Sequence, residues 1–259
     1  RDVLGSRGLG DVYKRQTTVF NLLDQATFQP MMRLVYHLGT KQIDTLYAYF
    51  AFNANKLVMI IVSLASAIAV TVVPILSESL ASHNMRNIRK QLEDSIILFL
   101  FIMIPGALGM AAVAQPLNTL FYSYDQIGTL ILQISAFTAI ALGFFTVISA
   151  LMQGLSRNRD IIRYYLIGLL VKIVIQLPCI YFLSTAGPLV ATAIGMMVAS
   201  LMAMYDLEVN FGIRYVKLLP KINRILVYSI LTYVTARLVV YGLNFVLNEH
   251  SKTLSLIHI

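Results

Sequence analysis

Apolar residues occur along this chain in long runs that are separated by short polar stretches. Residues 57–76 contain no charged side chain, and residues 164–183 contain only Lys172. A helix of about 20 apolar residues crosses the roughly 30 Å hydrocarbon core of a bilayer. The pattern therefore predicts an all-α fold, a polytopic transmembrane helix bundle of about seven spans, which cover approximately residues 17–36, 48–76, 95–114, 127–152, 164–183, 187–207 and 225–247.

The lysine in the fifth predicted span requires compensation. Lys172 lies near the middle of residues 164–183, where a charge costs at least about 2.5 kcal/mol. Lys172, Gln176 and Cys179 share one helix face, so we expect this face to point into the bundle or into a hydrated cavity. Two roles stay open at this stage: Lys172 binds substrate in a cavity, or it forms a buried structural pair, for which Asp24 is the candidate partner.

The first predicted span, residues 17–36, is unusually polar. Asn21, Gln25 and Gln29 recur every four residues, and Asp24 lies beside them. Such a stripe is unfavourable against lipid, so it favours a buried or cavity-facing side. A surface amphipathic helix is the alternative interpretation.

Two other stripes predict how the helices pack. Small residues that recur every four positions allow two helix backbones to approach closely in a membrane. One such ladder consists of Gly187, Ala191, Gly195, Ala199 and Ala203. A hydroxyl-rich stripe in the span 127–152, which lines either helix contacts or a cavity, consists of Ser135, Thr138, Thr146, Ser149 and Gln153.

Composition agrees with a membrane protein and indicates its partners. Hydrophobic residues make up 58% of the chain and charged residues 12%, against about 45–50% and 25% in soluble domains. The formal net charge is +8. Because the cations lie between the apolar runs, they suit anionic lipid headgroups and not nucleic acid.

The cations also predict an orientation. They concentrate in every second connection, residues 86–90, 157–163 and 214–224, while the connections between contribute at most Lys41 and Lys252. The positive-inside rule places the three basic connections in the cytoplasm. Since this alternation agrees with the predicted spans, the two patterns support each other.

Catalytic and metal-binding chemistry has little support in the sequence. Cys179 is the single cysteine, and His37, His83 and His250 lie in predicted loops. There is no nucleophile triad, carboxylate pair, metal motif or phosphate loop. We therefore expect neither an enzyme nor a cofactor. The ionisable residues within or next to the predicted spans, which favour a transport path, are Asp24, Arg33, Lys56, Lys172 and Arg237.

The two ends differ from the rest of the chain. Residues 1–16 are polar and glycine-rich, and both they and residues 254–259 resemble translated sequencing adapters. We exclude both from the fold prediction. The chain has no initiator methionine, so we expect an internal piece of a longer protein whose native part is about 17–253.

Several motifs, in this order and spacing, resemble a known family. They are the runs NLLDQATF at 21–28, NANKL at 53–57, PILS at 74–77, LVKIVIQ at 170–176 and AGPLVAT at 186–192. They are similar to the polysaccharide-exporting branch of the multidrug/oligosaccharidyl-lipid/polysaccharide exporter superfamily, in particular to its lipid II flippases and stage V sporulation protein B group. The resemblance covers residues 17–247.

The resemblance implies a two-lobed transporter of which this chain is the second lobe, spans seven to thirteen, with the first lobe of the same protein as its partner. It implies a flippase in the bacterial plasma membrane that moves an undecaprenyl-diphosphate-linked oligosaccharide or peptidoglycan precursor by alternating access. Lys56 and Lys172 match in kind the cations that meet the diphosphate. The candidate substrate-binding residues are Lys172, Lys56, Asp24, Gln176, Asn55 and Gln25.

Two other functions stay open. In a cation-coupled multidrug exporter of the same superfamily, Asp24 would carry the proton or sodium ion. A membrane scaffold without transport activity would show no dependence of export on the charges within the spans.

Overall fold

The computed structural model describes residues 3–246, with the side chains of residues 19–242 apart from residue 21. Residues 3–246 are almost entirely helical, which confirms the predicted all-α class. A short π-helix, Tyr49–Ala54, joins α2 to α3 without a break. The α-helices are α1 (Val3–Tyr36), α2 (Thr40–Ala48), α3 (Asn55–Ala81), α4 (Met85–Ala112), α5 (Ala114–Phe121), α6 (Gln126–Gly154), α7 (Asn158–Leu183), α8 (Gly187–Phe211) and α9 (Leu219–Val246).

The described chain contains five helical segments that are long and apolar enough to cross a membrane. They are Thr40–Ala81, Met85–Ala112, Gln126–Gly154, Asn158–Phe211 and Tyr215–Gly242. The fourth folds back on itself as α7 and α8, so together the five supply six of the predicted spans. Helix α1 is not among them, since its polar residues interrupt the apolar run, and its position in the membrane stays a prediction.

Helices α7 and α8 form a close antiparallel hairpin. Gly187 packs on Ile180 at one end, and the Tyr164 hydroxyl donates to Asp206 at the other. In the middle, a Cβ on Gly195 would lie 2.5 Å from the carbonyl oxygen of Gly168. The whole small-residue ladder of α8 is buried. The predicted close approach is confirmed, because a side chain at this crossing would overlap the neighbouring backbone.

Helix α6 forms the centre of the bundle, and α9 lies at its edge. Helix α6 packs against α3, α4 and α8, and its buried residues include Phe145, Ile148 and Leu151. Helix α9 packs mainly on α4, through the buried Ser229. Most of the α9 surface is therefore available to lipid or to another part of the protein.

The three basic connections lie at one end of the bundle, as the alternation predicted. Arg89, at the start of α4, donates from Nε to the carbonyl oxygen of Phe211 at 2.7 Å. This places a cation at the negative end of the α8 dipole. There the chain leaves α8 through Gly212, which has a left-handed φ of +68°. Arg157, between α6 and α7, contacts Asp206 of α8 at 2.8 Å.

Two segments differ from the sequence interpretation. Helix α5 lies where only a loop was expected, because Pro116 occupies the first turn of a helix, where a missing N–H costs little. Helix α1 extends back through residues 3–16, whose foreign origin stays a prediction. Residues 254–259 lie outside the described residues.

Candidate functional site

The centre of the candidate site is an ion pair between α1 and α7. The Lys172 ammonium lies 2.9 Å from Asp24 Oδ2. Lys172 is 0% exposed and Asp24 7% exposed. The pairing that the sequence left open is therefore present in this conformation, with Asp24 as the partner.

A second α7 side chain contacts the other oxygen of the carboxylate. Gln176, one turn after Lys172, donates from Nε2 to Asp24 Oδ1 at 3.0 Å and to Thr27 Oγ1 at 2.9 Å. Residues four apart lie on one helix face, so Lys172 and Gln176 hold one carboxylate oxygen each. This geometry fixes the rotation of α1 against α7.

The ammonium has two further neighbours on α1. It donates to the carbonyl oxygen of Phe20 at 2.9 Å and lies 4.6 Å from the centre of the Phe20 ring. The ring packs on Tyr165, one helical turn before Gly168. Carboxylate, carbonyl and aromatic face together replace the water that the charge loses on burial.

The glycine crossing of α7 and α8 determines how deeply this lysine lies. A Cβ on Gly195 would lie 3.1 Å from Lys172 Cβ. The α8 backbone therefore covers one side of the lysine stem directly. The side chain extends away from α8 towards α1, where Asp24 meets it.

A cavity of about 430 Å³ opens on the other side of Asp24. Its apolar walls come mainly from the π-helix and from α3, α6 and α8. Its polar residues are Asp24, Gln25, Asn55, Ser135, Thr138 and Thr192. Asp24 is the one charged residue among the described residues that line it. Ser135 and Thr138 belong to the hydroxyl stripe predicted on α6, so part of that stripe faces a cavity.

The π-helix positions one of the cavity amides. Tyr49–Ala54 carries Phe50, Ala51 and Phe52 into the wall and ends next to Asn55. Wider π-turns alter the direction of side chains and are frequent at functional sites. The Tyr122 hydroxyl donates a hydrogen bond to the carbonyl oxygen of Asn53 in the π-helix at 3.1 Å.

The structure divides the six predicted site residues into three groups. Asp24, Gln25 and Asn55 line the cavity. Lys172 and Gln176 are buried behind Asp24 and reach the cavity only through that carboxylate. Lys56 is exposed beside Asn55 and is outside the cavity lining.

Two hydrogen-bond acceptors next to the ion pair are absent from the predicted site residues. The hydroxyl of Thr27 accepts from Gln176, and the backbone carbonyl of Phe20 accepts from Lys172. Thr27 follows Asp24 by three residues, so helical spacing could have placed it on the same face. A backbone carbonyl has no signal in the sequence.

Comparison with known proteins identifies the family. The MatE family matches residues 19–177, which include both members of the buried ion pair. The chain belongs to the MatE family. The lipid II flippase MurJ of Bacillus subtilis (strain 168) is 29% identical over 231 residues, which are 88% of this chain and 42% of that relative. Both findings support the predicted superfamily and its lipid II flippase branch.

A solved structure extends the likeness to the fold. The lipid II flippase MurJ in an inward closed conformation superposes with a TM-score of 0.66 at 18% identity, over 93% of this chain and 49% of that one. At this identity the likeness concerns the fold alone.

The chain spans less than half the length of these two relatives. The family match and the apolar helices together show a multi-pass membrane protein of a transporter family.

Proposed function

We propose that this chain is the second lobe of a flippase that moves an undecaprenyl-diphosphate-linked oligosaccharide or peptidoglycan precursor across the bacterial plasma membrane. The observation that carries the proposal is a neutralised ion pair, Asp24 with Lys172, buried beside a cavity between apolar helices. Buried charges in membrane spans accompany transport paths. The likeness to the Bacillus subtilis MurJ suggests lipid II as the first substrate to test.

The candidate residues receive different roles in this proposal. The amides of Gln25 and Asn55 face the cavity and bind the polar part of the substrate. Lys172 and Gln176 keep Asp24 in place and set the charge of the cavity wall. Lys56 makes no ion pair within residues 19–242 and supplies a cation for the diphosphate next to Asn55.

Transport by alternating access requires the first lobe of the same protein as the opposite wall. Two lobes that rock around one central site expose it to each side of the membrane in turn. The cations at one end of the bundle support a cytoplasmic position for that end. Cysteines at Asn158 and Thr40 of the full-length protein test this orientation. An impermeant thiol reagent should label Thr40→Cys and not Asn158→Cys in intact cells, and the reverse pattern would invert the topology.

The test of the function uses the full-length protein that contains this chain, reconstituted in vesicles. Asn55→Ala and Gln25→Ala should each slow the flipping of lipid II severalfold, because the cavity loses a hydrogen-bonding group. Ser63→Ala is the matched control, since the exposed Ser63 hydroxyl donates only to the Ile60 carbonyl oxygen of its own helix. Wild-type flipping by well-folded Asn55→Ala and Gln25→Ala proteins would contradict the site.

The same vesicles distinguish a flippase from the two alternatives, a cation-coupled drug exporter and a membrane scaffold. A cation-coupled drug exporter would need Asp24 to bind a proton or sodium ion, but Lys172 already provides its counter-ion at 2.9 Å. Gradient-driven export of a dye, without flipping of lipid II, would establish that function instead. A membrane scaffold would transport neither compound.

A further inference from the structure

Helix α9 carries a basic stripe that leads into a groove on the outside of the bundle. Residues 209–248 contain no Asp or Glu. Lys217, Lys221 and Arg224 are three or four positions apart and exposed, so they lie along one side of the chain as it enters α9. None of them makes an ion pair or a side-chain hydrogen bond within residues 19–242.

The groove begins where the basic stripe ends. It lies between α4 and α9 and has a volume of about 380 Å³. Arg224 is its only charged lining residue in the described part of the chain. The other lining residues are Phe101 and Pro105 of α4 and Ile225, Tyr228, Ser229 and Thr232 of α9.

The sizes and hydrogen bonds of the lining residues explain the shape and the polarity of the groove. Ser229 is a small residue that is buried against α4, whereas Phe101 and Tyr228 are exposed at the rims. Pro105 has no N–H, so the helical hydrogen bond to the Phe101 carbonyl oxygen is missing. The Ser229 and Thr232 hydroxyls both donate to carbonyl oxygens of α9 itself. The groove therefore offers an apolar channel with hydroxyls already satisfied and a free guanidinium at its basic end.

We propose that this groove binds one anionic phospholipid, with its phosphate on Arg224 and Lys221 and an acyl chain between α4 and α9. A guanidinium and an ammonium one turn apart complement a phosphate. Basic segments next to a membrane helix attract anionic lipids. An apolar protein segment would leave the unpaired Arg224 without a counter-charge, whereas a phospholipid satisfies both the cation and the channel. This site shares no lining residue with the cavity at Asp24, and it does not depend on the proposed transport function.

Native mass spectrometry of the full-length protein with phosphatidylglycerol and phosphatidylcholine tests whether the site prefers an anionic headgroup. We expect at least a tenfold preference for phosphatidylglycerol and its loss in the variant Lys221→Gln/Arg224→Gln. The matched control is Arg159→Gln/Arg163→Gln, which removes two exposed cations from another basic connection at the same end. An equal loss in both double variants, or no preference in the wild type, would overturn the proposal.

A bulky residue in the groove tests whether an acyl chain lies there. Thr232→Trp should reduce phosphatidylglycerol binding at least fivefold, because Thr232 lines the groove. Leu231→Trp is the control, since Leu231 is exposed on the same helix and outside the lining. Unchanged binding by Thr232→Trp would show that the groove is not used.

A photo-crosslinking residue at Thr232 identifies the occupant in membranes. Capture of phosphatidylglycerol supports the proposal. Capture of a peptide from the same full-length chain would overturn it, because a protein segment would then fill the groove. Displacement of phosphatidylglycerol by undecaprenyl diphosphate at lower concentration would also overturn it, because the groove would then belong to the substrate path.

Discussion

Two of the ion pairs made by helix α7 have opposite surroundings. Near its start, Arg163 Nη1 and Asp160 Oδ1 are 3.5 Å apart, and the Arg163 side chain is 73% exposed. At its middle, Lys172 and Asp24 are 2.9 Å apart, and the Lys172 side chain is 0% exposed. Water reaches the first pair freely, whereas in the second pair Lys172 is enclosed by protein groups and only Asp24 borders the cavity. The exposed ion pair should therefore contribute little to the stability of the fold, whereas the fold should require the buried one.

Removal of the buried lysine should have the largest effect on the stability of the protein. Lys172→Ala leaves the Asp24 carboxylate buried without a cation, which costs about 3–5 kcal/mol of unfolding free energy. We expect the amount of folded full-length protein in membranes to collapse. Asp24→Asn in the same chain should restore most of it, because the unpaired charge disappears.

The rescued double variant then separates structure from transport. If the pair is purely structural, Lys172→Ala/Asp24→Asn flips lipid II at the wild-type rate per folded molecule. If the charges also serve transport, flipping stays low although the protein is folded. A well-folded Lys172→Ala single variant would contradict the importance of the pair itself.

Asp206 provides an intermediate case at the basic end. Its Oδ1 accepts from Arg157 at 2.8 Å, Tyr164 at 3.2 Å and Asn210 at 3.1 Å. Asp206→Ala should destabilise the protein by about 2 kcal/mol, because a buried carboxylate loses its hydrogen bonds while its main cation, Arg157, stays partly exposed to water. Unfolding in mixed micelles measures this. A change as small as that of an exposed pair would mean that water replaces these donors.

The glycine crossing beside Lys172 tests whether packing, apart from charge, holds α7 in place. Gly195→Ala should cost about 1–3 kcal/mol, since its Cβ would lie 2.5 Å from the Gly168 carbonyl oxygen. Gly109→Ala is the control on another helix, where a Cβ meets nothing within 4 Å. That variant should gain about 0.5–1 kcal/mol from helix propensity. Equal effects of the two variants in the same unfolding experiment would contradict close packing of α7 on α8.

The exposed pair on α7 should give the smallest effect. Arg163→Ala should change the unfolding free energy by less than about 0.5 kcal/mol, because an exposed ion pair contributes little and salt screens it. The same measurement in 0.5 M salt should show no further change. A loss similar to that of Lys172→Ala would remove the distinction between the two pairs.

The sequence alone determined the long apolar helices and the alternation of basic connections between them. Apolar runs of membrane length predicted the all-α fold, and the cations predicted which helix ends lie together, as Arg89 and Arg157 show through their contacts with α8. The small-residue ladder that includes Gly195 predicted the close approach of α7 and α8. These features are local or periodic, so spacing along the chain is enough to detect them.

Tertiary structure decided which groups surround the charges. Lys172 and the Phe20 carbonyl that it contacts are 152 positions apart. Spacing could name Asp24 as a candidate partner, but only the packing of α1 on α7 and α8 places Lys172 behind that carboxylate and leaves Gln25 and Asn55 in the cavity. The reason is physical: burial depends on what lies on all sides of a residue, and most of those neighbours come from distant parts of the chain.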